Sequence, residues 1–202
     1  MAKLKTGVLI SGRGSNLKAL IEACSDSTFP AEIVLVLSNV ADAGGLEHAR
    51  QANIPTATLS HNDFENREAF DEVMDEKLRA AGVEFVCLAG FMRLLSTDFV
   101  KRWEGKMINI HPSLLPAFKG LNVHERVLES GSKESGCTVH YVVPELDSGP
   151  IILQARVSVM PDDTPDTLAA RVLVQEHRIY PQALRMVAEG KVRLLDGAVV
   201  PS

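Results

Sequence analysis

Asn109 and His111 stand one residue apart in the stretch Met107-Ile108-Asn109-Ile110-His111-Pro112-Ser113-Leu114-Leu115-Pro116. Side by side, an amide and an imidazole can donate hydrogen bonds and, through the imidazole, exchange a proton near neutral pH. Met107, Ile108 and Ile110 are strand formers, and alternation puts Asn109 and His111 on one face of that strand. Pro112 ends it, because its ring fixes φ and it has no N–H for a ladder. In an open α/β sheet such a strand end is where ligands bind. The plain alternative is a half-exposed strand end with two hydrogen-bonded polar residues.

A second stretch suits an anion. The short apolar run Thr6 to Ile10 reads as a buried first strand and leads into Ser11-Gly12-Arg13-Gly14-Ser15-Asn16. Leu17, Leu20, Ile21 and Cys24 then recur at helical spacing, with Ser15 or Asn16 as the expected N-cap. A helix start has unpaired N–H groups at the positive end of its dipole, and Gly12 and Gly14 are expected to let an anion approach the backbone. Two familiar loops do not fit. The dinucleotide fingerprint needs a third glycine where Leu17 stands and an acidic residue where Ser38-Asn39 follows the second strand; the Walker loop needs Gly-Lys-Ser/Thr. A phosphate monoester is the better match, against a tight turn that binds nothing.

The elements that must hold these groups alternate. Ile33 to Leu37 is read as a second strand, Ala43 to Gln51 as a short helix stopped by Asn53 and Pro55, and Thr56 to Leu59 as a third strand. Asn62-x-x-Glu65 resembles a capping box for the helix carrying Phe70, Met74 and Leu78, with Arg67 in its first turn. Phe85 to Ala89 is a fourth strand, and Gly90-Phe91-Met92-Arg93-Leu94-Leu95 is an apolar loop at its end, suited to a flat apolar ligand or simply folded into the core. Ser96 or Thr97 opens the next helix. This is the pattern of a doubly wound, mostly parallel α/β sheet with a Rossmann-like N-terminal half. After a helix over about Val123 to Glu129, the strands Gly136 to Val143 and Ile151 to Val157, joined by a short segment with Asp147, suggest antiparallel additions in the C-terminal half. Thr164-Pro165 starts a last long helix whose stripe is Leu168, Val172 and Ile179; Glu176 sits at the edge of that stripe, and Pro181 is expected to kink or restart the helix. Val192 to Val200 reads as a hairpin-like tail.

The totals narrow the class. In 202 residues, 46% are apolar and 23% charged, an ordinary globular composition. A net charge of −5, with a pI of about 5.7, argues against a broad nucleic-acid or acidic-membrane surface. Cys24, Cys87 and Cys137 are odd in number and widely spaced, so neither a disulfide framework nor a zinc site is suggested, and no metal is expected. Val8-Leu9-Ile10 is too short for a signal peptide or membrane span, so a cytoplasmic setting is the default expectation.

Ser11 to Asn16, Ala89 to Arg93, Asn109 to Pro116 and Asp147-Ser148-Gly149-Pro150, in this order and spacing from near residue 5 to about residue 190, resemble the folate-dependent formyltransferases. The Gly14-Ser15-Asn16 loop narrows the likeness to the branch with a phosphoribosyl substrate. The resemblance implies transfer of the formyl group of 10-formyltetrahydrofolate to the amine of glycinamide ribonucleotide, a step of purine biosynthesis. It implies a single domain over 1–202, with a phosphate-binding half to about 105 and a catalytic and folate half from 106. By resemblance, Asn109, His111 and Asp147 are catalytic. Gly14, Ser15 and Asn16 hold phosphate, and Glu176 the ribose. Arg67, Met92, Arg93, Leu94, Leu95, Val143 and Glu145, with Asn109 and Asp147, line the folate site. Pro144 departs from the family pattern and removes a backbone donor, so contacts there should use carbonyls or other residues.

These residue types fit that chemistry. Amine attack on a formyl carbon makes an oxyanion, to which the Asn109 amide and a protonated His111 can donate, while Asp147 beside His111 favours the imidazolium. The expected partners are two small molecules, with no nucleic acid or membrane, and the chain is expected to be a monomer or homodimer. A formyl-folate hydrolase would call for an N-terminal regulatory domain and a tRNA formyltransferase for a C-terminal RNA-binding domain; neither is expected here. A non-catalytic phosphate-binding module would explain the glycine turn but not Asn109, His111 and Asp147 together.

Overall fold

Each central strand sends alternate side chains to opposite faces of one sheet, and both faces are apolar. Val8 and Ile10, Val36, Phe85 and Cys87, and Ile108 and Ile110 point to one core; Leu9, Leu35 and Leu37, Val86 and Leu88, and Met107 point to the other. The computed structural model describes residues 2–201. Among these, β1 (Leu4–Ile10), β2 (Ala31–Ser38), β3 (Thr56–Thr58), β4 (Phe85–Leu88), β5 (Met107–His111), β6 (Glu134–Tyr141) and β7 (Ile151–Ser158) form a seven-stranded sheet. Its order is β3-β2-β1-β4-β5-β6-β7. Pairing is parallel from β3 to β5 and antiparallel for β5–β6 and β6–β7. The expected doubly wound sheet with antiparallel additions is what forms.

Helices cover both faces. α1 (Ser15–Cys24), α2 (Gly45–Gln51), α5 (Val123–Glu129) and α6 (Pro165–Ala188) pack on the first core; α3 (Arg67–Ala80) and α4 (Thr97–Arg102) pack on the second. α3 and α4 are clamped through Asp75, which accepts from Trp103 Nε1 at 2.8 Å and from Arg102 at 3.2 Å. β8 (Val192–Leu195) and β9 (Ala198–Pro201) make a separate hairpin, turned by Asp196 and Gly197 at φ 49° and 75°. Among the described residues no helix is long and apolar enough to cross a membrane.

Four local readings change. The N-cap of α1 is Gly14, at φ 73° and ψ 31° with no side-chain cap, rather than Ser15 or Asn16. The second helix begins at Gly45 rather than Ala43. α3 is capped by Asn66, whose side chain accepts from Ala69 N at 2.8 Å; Asn62 lies in a single 3-10 turn, His61–Asp63, so the box at 62–65 does not form. α6 runs unbroken through Pro181, packed along the sheet by Leu168, Val172, Ile179, Ala183 and Leu184, and that burial outweighs the lost N–H. Its start at Thr164-Pro165 is as expected, and Thr167 completes a reciprocal cap.

Candidate active site

The sheet order reverses between β1 and β4, and the segments following these strands flank the crevice. Ser11 ties them together. Its N–H donates to Gly90 O at 3.1 Å, and its hydroxyl donates to Asn39 Oδ1 at 2.5 Å and accepts from Met92 N at 2.7 Å. On one side of this tie α1 begins. The first helical bond is Lys18 N to Gly14 O, so the N–H groups of Ser15, Asn16 and Leu17 precede any helical partner. Gly14 is required twice over: by its left-handed backbone, and because a Cβ there would lie 2.5 Å from Gly45 Cα. Gly12, by contrast, faces open space, with no atom within 4 Å of where a Cβ would lie.

Glu176 reaches the start of α1 from α6. It is buried, and Asn16 Nδ2 donates to its Oε2 at 2.7 Å. Burial pushes the Glu176 carboxyl above its ordinary range, against the pull of that hydrogen bond. The Asn16 side-chain amide is thus engaged with Glu176, leaving its backbone N–H toward an anion.

Asn109 and His111 project from β5 on the face opposite Ile108 and Ile110. His111 is buried between two acceptors: Nε2 is 3.0 Å from Phe118 O and Nδ1 is 3.4 Å from Asp147 Oδ2. Asp147 comes from the β6–β7 connection, at φ 46°, a left-handed conformation that aspartate tolerates. Its Oδ2 also accepts from Gly120 N at 2.9 Å. The segment after Pro116 therefore closes the site through Phe118 and Gly120. Thr138 and Gln154 hold the run that leads into it: Thr138 Oγ1 donates to Ser113 O at 2.7 Å, and Gln154 Nε2 donates to Leu115 O at 2.9 Å.

His140 is the site residue that sequence reasoning passes over. The β5–β6 register sets it opposite Asn109, whose Nδ2 is 3.3 Å from His140 Nε2. Its only local signal is the alternation of Thr138 and His140 with Cys137, Val139 and Tyr141, which puts two polar residues on one face of a strand.

Apart from Asn109 and Asp147, the expected folate residues fall in three segments: the start of α3, the loop after β4 and the connection after β6. Met92 and Leu94 are 70% and 54% exposed, an unusual degree for large apolar side chains beside a polar cluster. Arg93 lies over the Phe70 ring at 4.8 Å, and Leu95 packs into the second core. Arg67 is exposed at the start of α3, and buried Asp71 of α3 accepts from Ser96 N at 2.6 Å. Val142 shares a core cluster with Phe91 and Leu95, which puts the 143–147 segment on the same side of the sheet as the 91–95 loop. Val143 is half-buried, and Pro144 and Glu145 are exposed.

Other chemistries find little support in these groups. Burial pushes the thiols of Cys24 and Cys137 up to about 12, so neither is a thiolate at neutral pH. Among the described residues no group of three or more His, Cys, Asp or Glu is arranged to hold a metal ion.

Known proteins share this sequence and fold. The chain is 53% identical over 192 residues to the trifunctional purine biosynthetic protein adenosine-3 of Bos taurus, matching 95% of this chain and 19% of that protein. It thus spans about a fifth of the length of such curated relatives. It is 48% identical over 191 residues to the phosphoribosylglycinamide formyltransferase of Escherichia coli (strain K12), covering 95% of this chain and 90% of that one. The crystal structure of glycinamide ribonucleotide transformylase 1 from Symbiobacterium toebii superposes with a TM-score of 0.96 at 45% identity, over 98% of this chain and 94% of that one. The family described as Formyl transferase matches residues 4–184, and the chain, with its Asn109, His111 and Asp147 gathered at the end of β5, belongs to that family.

Proposed function

We propose that this protein transfers the formyl group of 10-formyltetrahydrofolate to the amino group of N1-(5-phospho-D-ribosyl)glycinamide, in de novo purine biosynthesis. The observation that carries the reading is the gathering of Asn109, His111 and Asp147 at one strand end, beside an uncapped helix start that adjoins Glu176. The N–H groups of Ser15, Asn16 and Leu17 suit a phosphate monoester, and Glu176 suits a ribose hydroxyl. Met92 and Leu94 offer an apolar wall for a pterin, with Arg67, Arg93, Leu95, Val143 and Glu145 around it. The substrate amine attacks the formyl carbon, forming a C–N bond and an oxyanion. Asn109 Nδ2–H and the His111 imidazolium donate to that oxyanion. The 3.4 Å between His111 Nδ1 and Asp147 is long for a charge-assisted bond, which leaves room for an oxyanion beside the ring to share that N–H with the carboxylate. Asp147, through a water, passes the amine proton to N10 as the C–N10 bond breaks. On this reading residues 1–202 act as one domain, monomeric or homodimeric, in the cytoplasm. Phosphate is met chiefly by the first 105 residues, and no nucleic acid or membrane partner is involved.

The test is formyl transfer from 10-formyltetrahydrofolate, followed spectrally with and without glycinamide ribonucleotide. Tetrahydrofolate formed only with the ribonucleotide supports the proposal. Equal rates without it would mean water is the acceptor, and no product in either case would leave a binding module.

A further inference from the structure

His140 is 2% exposed, more enclosed than His111, Asp147 or Glu176. Its Nδ1 lies 2.9 Å from Tyr141 O, and a carbonyl only accepts, so Nδ1 carries the hydrogen. In the neutral ring Nε2 is then a bare acceptor. Asn109, 3.3 Å away, must turn its amino group and not its oxygen toward it. Gly149 locks the arrangement from outside, since a Cβ there would lie 1.7 Å from Tyr141 O and 3.4 Å from His140 Nδ1. Three titratable groups act on the ring. Asp147, with Oδ1 3.8 Å from Nε2, favours the imidazolium; His111 and Lys119 oppose it. Burial opposes it most, and holds the imidazole below its ordinary value.

We propose that His140 is a positioning residue: as a neutral Nδ1–H imidazole it accepts from Asn109 and so decides which side of that amide donates into the site. The inference rests on the proposed formyl transfer, in which the second Asn109 N–H meets the oxyanion. Protonating His140 puts a hydrogen on Nε2. Asn109 must then present Oδ1 to the ring, and Nε2–H faces Asp147 and competes with His111 for its charge. Activity therefore requires His140 neutral and falls as pH drops through its depressed value.

Two measurements test this. ¹⁵N-histidine NMR of the unliganded protein reads the tautomer without turnover. Nδ1 protonated and Nε2 bare at pH 7.5, with the Nε2 resonance moving in Asn109→Ala, is expected; Nε2 protonated at that pH, or unmoved in that variant, would overturn the pairing. Kinetics read the consequence. His140→Leu should lower kcat about 10²-fold, the scale of one oxyanion donor, with both KM values within about threefold of wild type. The same change in an Asn109→Ala background should cost less than about threefold, because the group it positions is gone. A repeat of the full loss in that background would refute the proposal. His140→Gln, which keeps an acceptor, should stay within about tenfold of wild type, with the acid limb of its kcat profile moved to lower pH. If His140→Leu does not unfold cooperatively, His140→Gln decides, and an unmoved acid limb overturns the proposal. Should the wild-type protein transfer no formyl group, the proposed function falls, and the NMR result alone decides the Asn109–His140 pairing.

Discussion

Asp147→Asn is the sharpest perturbation of the site, because it changes charge and little else. Asparagine tolerates the left-handed backbone at φ 46° and keeps an oxygen for Gly120 N, 2.9 Å away. What disappears is a carboxylate 3.4 Å from His111 Nδ1, with both side chains buried. At an effective dielectric of about 20, unit charges at that separation attract by about 5 kcal/mol, a gross figure from which the desolvation of both groups must be subtracted. The consequence for turnover is bounded by the donor that Asp147 supports. Losing the imidazolium as an oxyanion donor costs about 2.7–4 kcal/mol, or about 10²–10³-fold in kcat. Asp147→Asn should therefore fall by up to about that factor through the lost donor, with a further loss because the carboxylate relays the amine proton. His111→Ala should lose a similar amount. Because the two residues act as a unit, the double variant should lose far less than the product of the single losses. The assay is steady-state formyl transfer with saturating ribonucleotide, with thermal unfolding as the control for folding. Turnover of Asp147→Asn within about threefold of wild type, or single losses that multiply fully in the double variant, would refute the coupling.

Three further outcomes follow from individual contacts. Gly14→Ala forces a β-carbon into the left-handed region and against Gly45 Cα; it should cost at least about 2 kcal/mol, seen as a Tm lower by about 4 °C or more, and raise KM for the phosphorylated substrate. Glu176 has a folded-state pKa above its unfolded value, so its favourable contribution is complete below the unfolded pKa and is lost as pH rises through the folded one. Glu176→Gln should accordingly raise Tm at pH 7.5 by about 2 °C or more, with the gain shrinking toward pH 4.5, while weakening ribonucleotide binding; a Tm gain that does not depend on pH would contradict this account. Gly149→Ala would set a methyl group 1.7 Å from Tyr141 O, so the 143–150 connection must shift. Its kcat should drop at least tenfold, about 1.4 kcal/mol, with ribonucleotide KM little changed, since the α1 start lies elsewhere. An equal rise in that KM would point to a general loss of folding.

The sequence by itself determined the strands and helices, the order of the chemical groups along the chain and the places where turns must fall. Apolar alternation in β1 and β5, the Asn-x-His-Pro run and Thr164-Pro165 are local signals, each set by side-chain period or by the fixed φ of proline. Even locally, two readings failed where residues compete for one task. Ser15, Asn16 and Gly14 all qualify as caps, and close packing on Gly45 selects the glycine; Asn62 and Asn66 both precede α3, and Asn66 is the one that caps it. Tertiary structure alone decided which groups meet. Glu176 reaches Asn16 across 160 residues because α6 packs beside α1. His140 faces Asn109 because of the β5–β6 register, and a slip of one residue would turn His140 and Thr138 into the core. Asp147 meets His111 through the path of the 143–150 connection, and Phe118 and Gly120 close over both from a segment with no motif of its own. Register and loop path are set by burial summed over the whole sheet, so no stretch of the chain carries them alone.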